Sequence, residues 1–132
     1  MKLADISAER SADTEEGMAQ MTRPKETAQR TVRDMANRLI AAYAPEKVIL
    51  FGSYAYGEPD RDSDIDLLII KDTQERFLDR WTTVQGILTG THRSLPLETL
   101  VLTPREIEKR LAAGDQFIRE ILERGEVLYA AQ

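Results

Sequence analysis

Residues 47–71 read KVILFGSYAYGEPDRDSDIDLLIIK. Two apolar runs, each of strand length, enclose the most unusual chemistry in the chain. The first run, Lys47 to Phe51, stops at Gly52-Ser53. The second, Ile65 to Lys71, follows a loop crowded with Glu58, Asp60, Asp62, Asp64 and Asp66, five acids within nine residues and opposed locally by Arg61 alone. Like charges at that density repel one another unless a cation lies beside them. The identity of that cation is the question the sequence poses.

Both halves of the stretch have a physical reading. Side chains alternate along a strand, so Asp64 and Asp66 project to one face, their Cα atoms roughly 6–7 Å apart. Two carboxylates so placed can converge on one hard cation or bridge a pair of them. At the other end, Gly52 permits a tight turn and a close approach of backbone to ligand. Ser53 is placed to cap a brief helical turn, Ser53 to Tyr56, whose free N–H groups and hydroxyl would cradle phosphate. Each half alone is equivocal: Gly-Ser also starts ordinary helices, and Asp-x-Asp also occurs in solvated loops. A phosphate cradle beside a metal clamp, however, is the layout that a magnesium-bound nucleoside triphosphate needs.

Working outward, the chain alternates helices and strands. Val32, Met35, Ala36, Leu39, Ile40 and Tyr43 recur at helical spacing, predicting a helix over about residues 25–43, with Pro24 in its first turn and Pro45 stopping it. Phe77, Trp81, Val84 and Leu88 mark a second long helix that ends at Gly90. Leu95 to Leu102 reads as a strand, and Thr103-Pro104 opens another helix with Thr103 as its cap. Ile107, Leu111, Phe117, Ile118, Ile121 and Leu122 carry helical patterning across a break at Gly114. Gly125 closes it, and Val127 to Tyr129 add a last strand. The expectation is an α/β domain, a small mixed sheet with flanking helices.

Composition bounds the rest. With 132 residues, 42% of them apolar and 31% charged, the chain suits one soluble domain with a single core. The absence of cysteine excludes disulfides, thiolate zinc sites and a thiol nucleophile. No stretch has the form of a signal peptide or the length of a membrane span, so the cytoplasm is the expected compartment and no membrane partner is expected. Residues 1–22 carry a net charge of −3 out of the total of −5. We read them as a polar tail, frayed or loosely helical, preceding a domain over residues 23–132. The body is nearly neutral, which argues against direct nucleic-acid binding.

The third strand, in SLPLETLVL, carries Glu98 among apolar residues. Such an acid is either a surface group on an edge strand or one that is paired or metal-bound. Arg61, Lys71 and Arg93 are candidate triphosphate contacts or plain surface charge. His92 reads as a surface-loop residue, and Trp81 as core or partner-facing packing.

Gly52-Ser53, ten residues, then Asp64-Ile65-Asp66 resembles the signature of the polymerase β-like nucleotidyltransferase superfamily. LFGSYAYGEPDRDSDIDLLII, LPLETLVLTPREIEK and FIREILERGEVLYA together are similar to its minimal nucleotidyltransferase branch over about residues 25–130. The resemblance implies that Asp64, Asp66 and Glu98 are the catalytic and metal-binding carboxylates for two Mg²⁺ ions, with Gly52 and Ser53 binding ATP. It further implies an antitoxin that transfers AMP from ATP to a tyrosine of a HEPN-type toxin ribonuclease. Two alternatives stay open: a binding module that neutralises its partner by docking, and a transferase acting on a small-molecule hydroxyl. Two positions depart from the branch, which commonly has a base where Tyr56 stands and Asp where Glu98 stands.

Overall fold

The computed structural model describes residues 12–92 and 95–132, and their side chains from Glu26 onward. Helix α1 (Ala12–Tyr43) leads into strand β1 (Lys47–Phe51), the short α2 (Ser53–Tyr56) and β2 (Ile65–Ile70). Then follow α3 (Phe77–Leu88), β3 (Leu97–Leu102), α4 (Pro104–Ala112), α5 (Gln116–Arg124) and β4 (Glu126–Ala130). The four strands form one mixed sheet in the order β3-β2-β1-β4. β1 is antiparallel to both β2 and β4, while β2 and β3 run parallel. A parallel pair requires a crossover, and α3 supplies it.

The two central strands are apolar nearly throughout because both of their faces are covered. Val48, Leu50, Ile65, Leu67 and Ile69 pack under α1 and α3 with Met35, Leu39, Val84 and Leu88. Ile49, Phe51, Leu68 and Ile70 face the opposite way, against Ile107, Ile118 and Ile121 of α4 and α5. Asp66 shares the parity of Leu68 and Ile70, so it belongs to the α4/α5 face.

Local signals set most boundaries. Ala44 adopts φ 51°, the left-handed turn common just past a helix end, and Pro45 forbids further helix. Thr103 and Glu106 form a capping box in which the Thr103 hydroxyl accepts from the Glu106 amide and the Glu106 carboxylate accepts from the Thr103 amide. β3 begins two residues later than the pattern suggests, after Pro96, which has no N–H to give to a ladder.

α1 differs most from expectation. It begins at Ala12 and passes through Pro24, which was expected in its first turn. Residues 12–22 are rich in Ala, Glu, Gln and Met, all strong helix formers, and a proline removes one internal hydrogen bond without dictating a start. The remainder of the expected tail, residues 1–11, lies outside the described residues.

One buried charge ties the α3 layer to the rest. Arg80 is 6% exposed; it pairs with Glu106 at 2.7 Å and donates to the carbonyls of Glu75 at 2.9 Å and Val101 at 3.2 Å. These bonds join α3 to β3 and to the start of α4.

Candidate active site

The site is built where β1 hands over to α2. Gly52 has φ 75° and ψ −157°, a conformation open in practice to glycine alone. Phe51 pairs with Asp66 across the β1–β2 ladder, and a Cβ added at Gly52 would collide with the Asp66 carboxylate. The glycine therefore serves two ends, the turn and the space for that acid. Gly52 is also the N-cap of α2, its carbonyl accepting from the Ala55 and Tyr56 amides at 3.0 Å. Ser53, expected as the cap, is instead the first helical residue, and no side chain caps α2. A glycine cap leaves the first-turn amides without a side-chain acceptor.

The acidic loop divides by role. Asp60 organises it: its carboxylate accepts from the Asp62 amide at 2.8 Å and the Ser63 hydroxyl at 3.2 Å, while the Asp60 amide donates to Ser63 at 2.8 Å. Glu58 and Asp62 are solvent-exposed. Asp66 is the acid drawn inward. Burial first, then the charges of Asp64 and Glu98, push its carboxyl up to about 6. Three acids of this loop and of β3 thus act on one another electrostatically.

Register explains how Glu98 arrives. In the parallel β2–β3 pair Asp66 is the direct partner of Glu98, and both point to the α4/α5 face. Glu98 is itself exposed on the edge strand, so burial cost does not force it into the site; its position opposite Asp66 does.

A cleft of about 570 Å³, within the usual range for small-molecule sites, opens on this face. Gly52, Asp66 and Glu98 line it with Phe51, Tyr56, Thr99, Leu100, Phe117 and Glu120. Ser53 and Asp64 are not in its lining. Among the described residues no three His, Asp or Glu groups form a ready-made metal site. The donor set nevertheless suits a hard cation: oxygen ligands alone, one of them held ionised at a cost that a nearby positive charge would relieve.

The wall contributed by α5 was not legible as part of a site. Phe117, expected within the buried pattern, is 53% exposed and meets Phe51 edge-on at 5.7 Å. The Arg124 guanidinium lies 4.5 Å over the Tyr56 ring and pairs with Glu120 at 3.0 Å. A charge therefore stands beside Tyr56, the position at which the resembling branch commonly has a base.

The other candidates lie elsewhere. Lys71 donates to the Ala44 carbonyl at 3.2 Å and sits 5.1 Å over the Tyr43 ring, away from the cleft. The His92 imidazole meets the Leu95 carbonyl at 2.9 Å within its loop. Arg61 is solvent-exposed, and Arg93 lies outside the described residues. Trp81 is 49% exposed beside Phe77 and Leu78, an apolar surface on α3. No helix among the described residues is long and apolar enough to cross a membrane.

Comparison with known proteins agrees with this geometry. The nucleotidyltransferase domain family matches residues 32–128. A protein of Methanocaldococcus jannaschii named as a protein adenylyltransferase is 31% identical over 103 residues, spanning 76% of this chain and 97% of that relative. A toxin–antitoxin structure with AMP-PNP shares the fold at a TM-score of 0.51 and 19% identity, covering 76% of this chain and 74% of that one. A mutant MntA–HpeT toxin–antitoxin structure gives a TM-score of 0.51 at 18% identity, with the same coverage.

Proposed function

The chain belongs to the nucleotidyltransferase domain family and is a nucleotidyltransferase, and from that premise we propose that it transfers AMP from ATP to a tyrosine hydroxyl of a HEPN-type toxin, acting in the cytoplasm as its antitoxin. The observation that carries the catalytic part is the Asp66–Glu98 pairing beside the Gly52 turn, which sets two carboxylates and a backbone cradle on one cleft. A relative that bears the name protein adenylyltransferase supports a protein acceptor. The toxin and its tyrosine follow from the resemblance to minimal nucleotidyltransferases, and the fold shared with toxin–antitoxin structures is in keeping with them.

In this reading Asp64, Asp66 and Glu98 would hold two Mg²⁺ ions. When bound, the metal supplies acidification of the acceptor hydroxyl and neutralisation of charge on the departing pyrophosphate. The chain's own groups do the rest. The backbone at Gly52 and the Ser53 hydroxyl hold the β- and γ-phosphates. Glu98, open to solvent on the edge strand, takes the proton of the acceptor hydroxyl. The acceptor oxygen bonds to the α-phosphorus as the bond to the β-phosphate bridging oxygen breaks, releasing pyrophosphate. No covalent enzyme intermediate is needed.

Label placed on the α-phosphate of ATP should pass to the partner protein in the presence of Mg²⁺, while label on the γ-phosphate should leave as pyrophosphate. Transfer of the γ-label alone would replace adenylylation with phosphorylation.

A second reading has its own observation. Phe77, Leu78 and Trp81 expose apolar surface on α3, between 48% and 73% accessible, as a docking module would. In that case the cleft is vestigial or regulatory, and neutralisation of the partner is stoichiometric.

A further inference from the structure

We propose that Arg124 is the protein cation that grips the triphosphate of the incoming nucleotide, an inference resting on the nucleotidyltransferase reading of the cleft. The ionisable side chains lining the cleft are Asp66, Glu98, Glu120 and Tyr56; none of the lining residues is a Lys, Arg or His. A triphosphate carries several negative charges of its own. A metal at the carboxylates would offset part of that repulsion, and the rest of the triphosphate needs a positive group delivered from outside the lining.

Arg124 meets that need by position. It stacks on Tyr56 and pairs with Glu120, and both of these residues line the cleft. Phe117, Glu120 and Arg124 recur three and four residues apart, so they share one face of α5, the face from which Phe117 and Glu120 line the cleft. Three other cations of the chain are committed elsewhere. Lys71 is bound to the Ala44 carbonyl, Arg38 to the carbonyls of Ile87 and Thr89, and Arg80 to Glu106.

The details of the contact suit a phosphate. The contact over the Tyr56 ring, 4.5 Å from its centroid, holds the guanidinium without using its N–H groups. The bond to Glu120 uses NH1, leaving other donors of the fork to receive phosphate oxygens. Arg124 is 55% exposed and Glu120 47%, so the ion pair holding them is weak and exchanges readily for a more highly charged partner. Glu120 is then the resting counter-ion that the triphosphate displaces. As the bond between the α-phosphorus and the bridging oxygen breaks, negative charge gathers on the pyrophosphate, and a guanidinium there stabilises it.

The test is calorimetric titration of the full chain with a non-hydrolysable ATP analogue and, separately, with AMP. Arg124→Ala should weaken binding of the analogue about tenfold or more while leaving AMP within about twofold, because the phosphates lost in AMP are those the arginine holds. Arg124→Lys should recover part of the loss, since it keeps the charge but not the fork. Glu120→Gln should tighten binding of the analogue about two- to fivefold by removing both a competitor and a repelling charge. Equal binding of the analogue by wild type and Arg124→Ala, or a parallel loss of analogue and AMP, overturns the assignment and leaves the nucleotide site standing. Weakening by Glu120→Gln would also overturn it, reducing the ion pair to a structural link. A wild type that binds neither ligand overturns the nucleotide reading itself, and the role of Arg124 with it.

Discussion

Asp66 of β2 and Glu98 of β3 are direct partners in a parallel ladder, on the face of the sheet where the cleft opens. Like charges placed opposite one another cost stability, and here a third acid, Asp64, adds to the repulsion felt by Asp66. A fold that keeps such a cluster is storing free energy that a cation can release. That relationship links the architecture to the chemistry.

The first prediction concerns Asp66. Its carboxyl, raised from 3.8 to about 6, favours the folded state fully when protonated, below pH 3.8, and that contribution is lost as pH rises through 6. At neutral pH without metal the charged group is a burden. Asp66→Asn should therefore raise the melting temperature by a few degrees, corresponding to about 1 kcal/mol once solvent screening of this half-exposed group is allowed for. Mg²⁺ should stabilise wild type and not the variant, and transfer activity should disappear. Thermal melts with and without Mg²⁺ between pH 4 and 8 check this; a destabilised variant would contradict the repulsion account.

Gly52 gives the second. Gly52→Val places a branched side chain at φ 75° and drives it into the Asp66 carboxylate. We expect a loss of about 1–3 kcal/mol in stability from backbone strain, and a fall in triphosphate affinity larger than that caused by Ser53→Ala. Denaturant melts and titration with an ATP analogue would measure both, and equal losses of affinity would speak against close backbone approach at Gly52.

Arg80 gives the third, on stability alone. Replacing it by Met strands the Glu106 carboxylate and the Val101 carbonyl that it serves. The expected cost is about 2–4 kcal/mol, with nucleotide affinity unchanged in the folded protein. A loss below about 0.5 kcal/mol would show the pair to be a surface bridge in energy as well as in part of its exposure.

Much of this was legible in the sequence because it rests on local rules. The strand that stops at Gly52, the brief α2 and the Thr103-Pro104 helix start all follow from neighbours in the chain. Glu98 lines the cleft beside Asp66, though not because burial demanded pairing; it is exposed, and only the β2–β3 register brings it opposite Asp66. Ser53 yielded the cap to Gly52 because the turn already required that glycine's backbone. Arg124 over Tyr56 was illegible, since the two come from helices far apart in sequence and meet only when α5 packs on the sheet. Phe117 kept helical periodicity yet faces the cleft, a distinction that spacing alone does not make.

The central claim is catalytic turnover on a protein acceptor. The most direct measurement is the intact mass of the proposed partner toxin after incubation with ATP, Mg²⁺ and this chain at one part in about twenty to fifty, a ratio beyond any plausible binding stoichiometry. The account predicts a partner heavier by one or more AMP groups, inactive after separation, and unmodified when the Asp64→Asn, Asp66→Asn double variant is used. An unmodified partner with wild type, and inhibition that needs equimolar protein and vanishes on separation, would contradict it and establish docking as the mechanism.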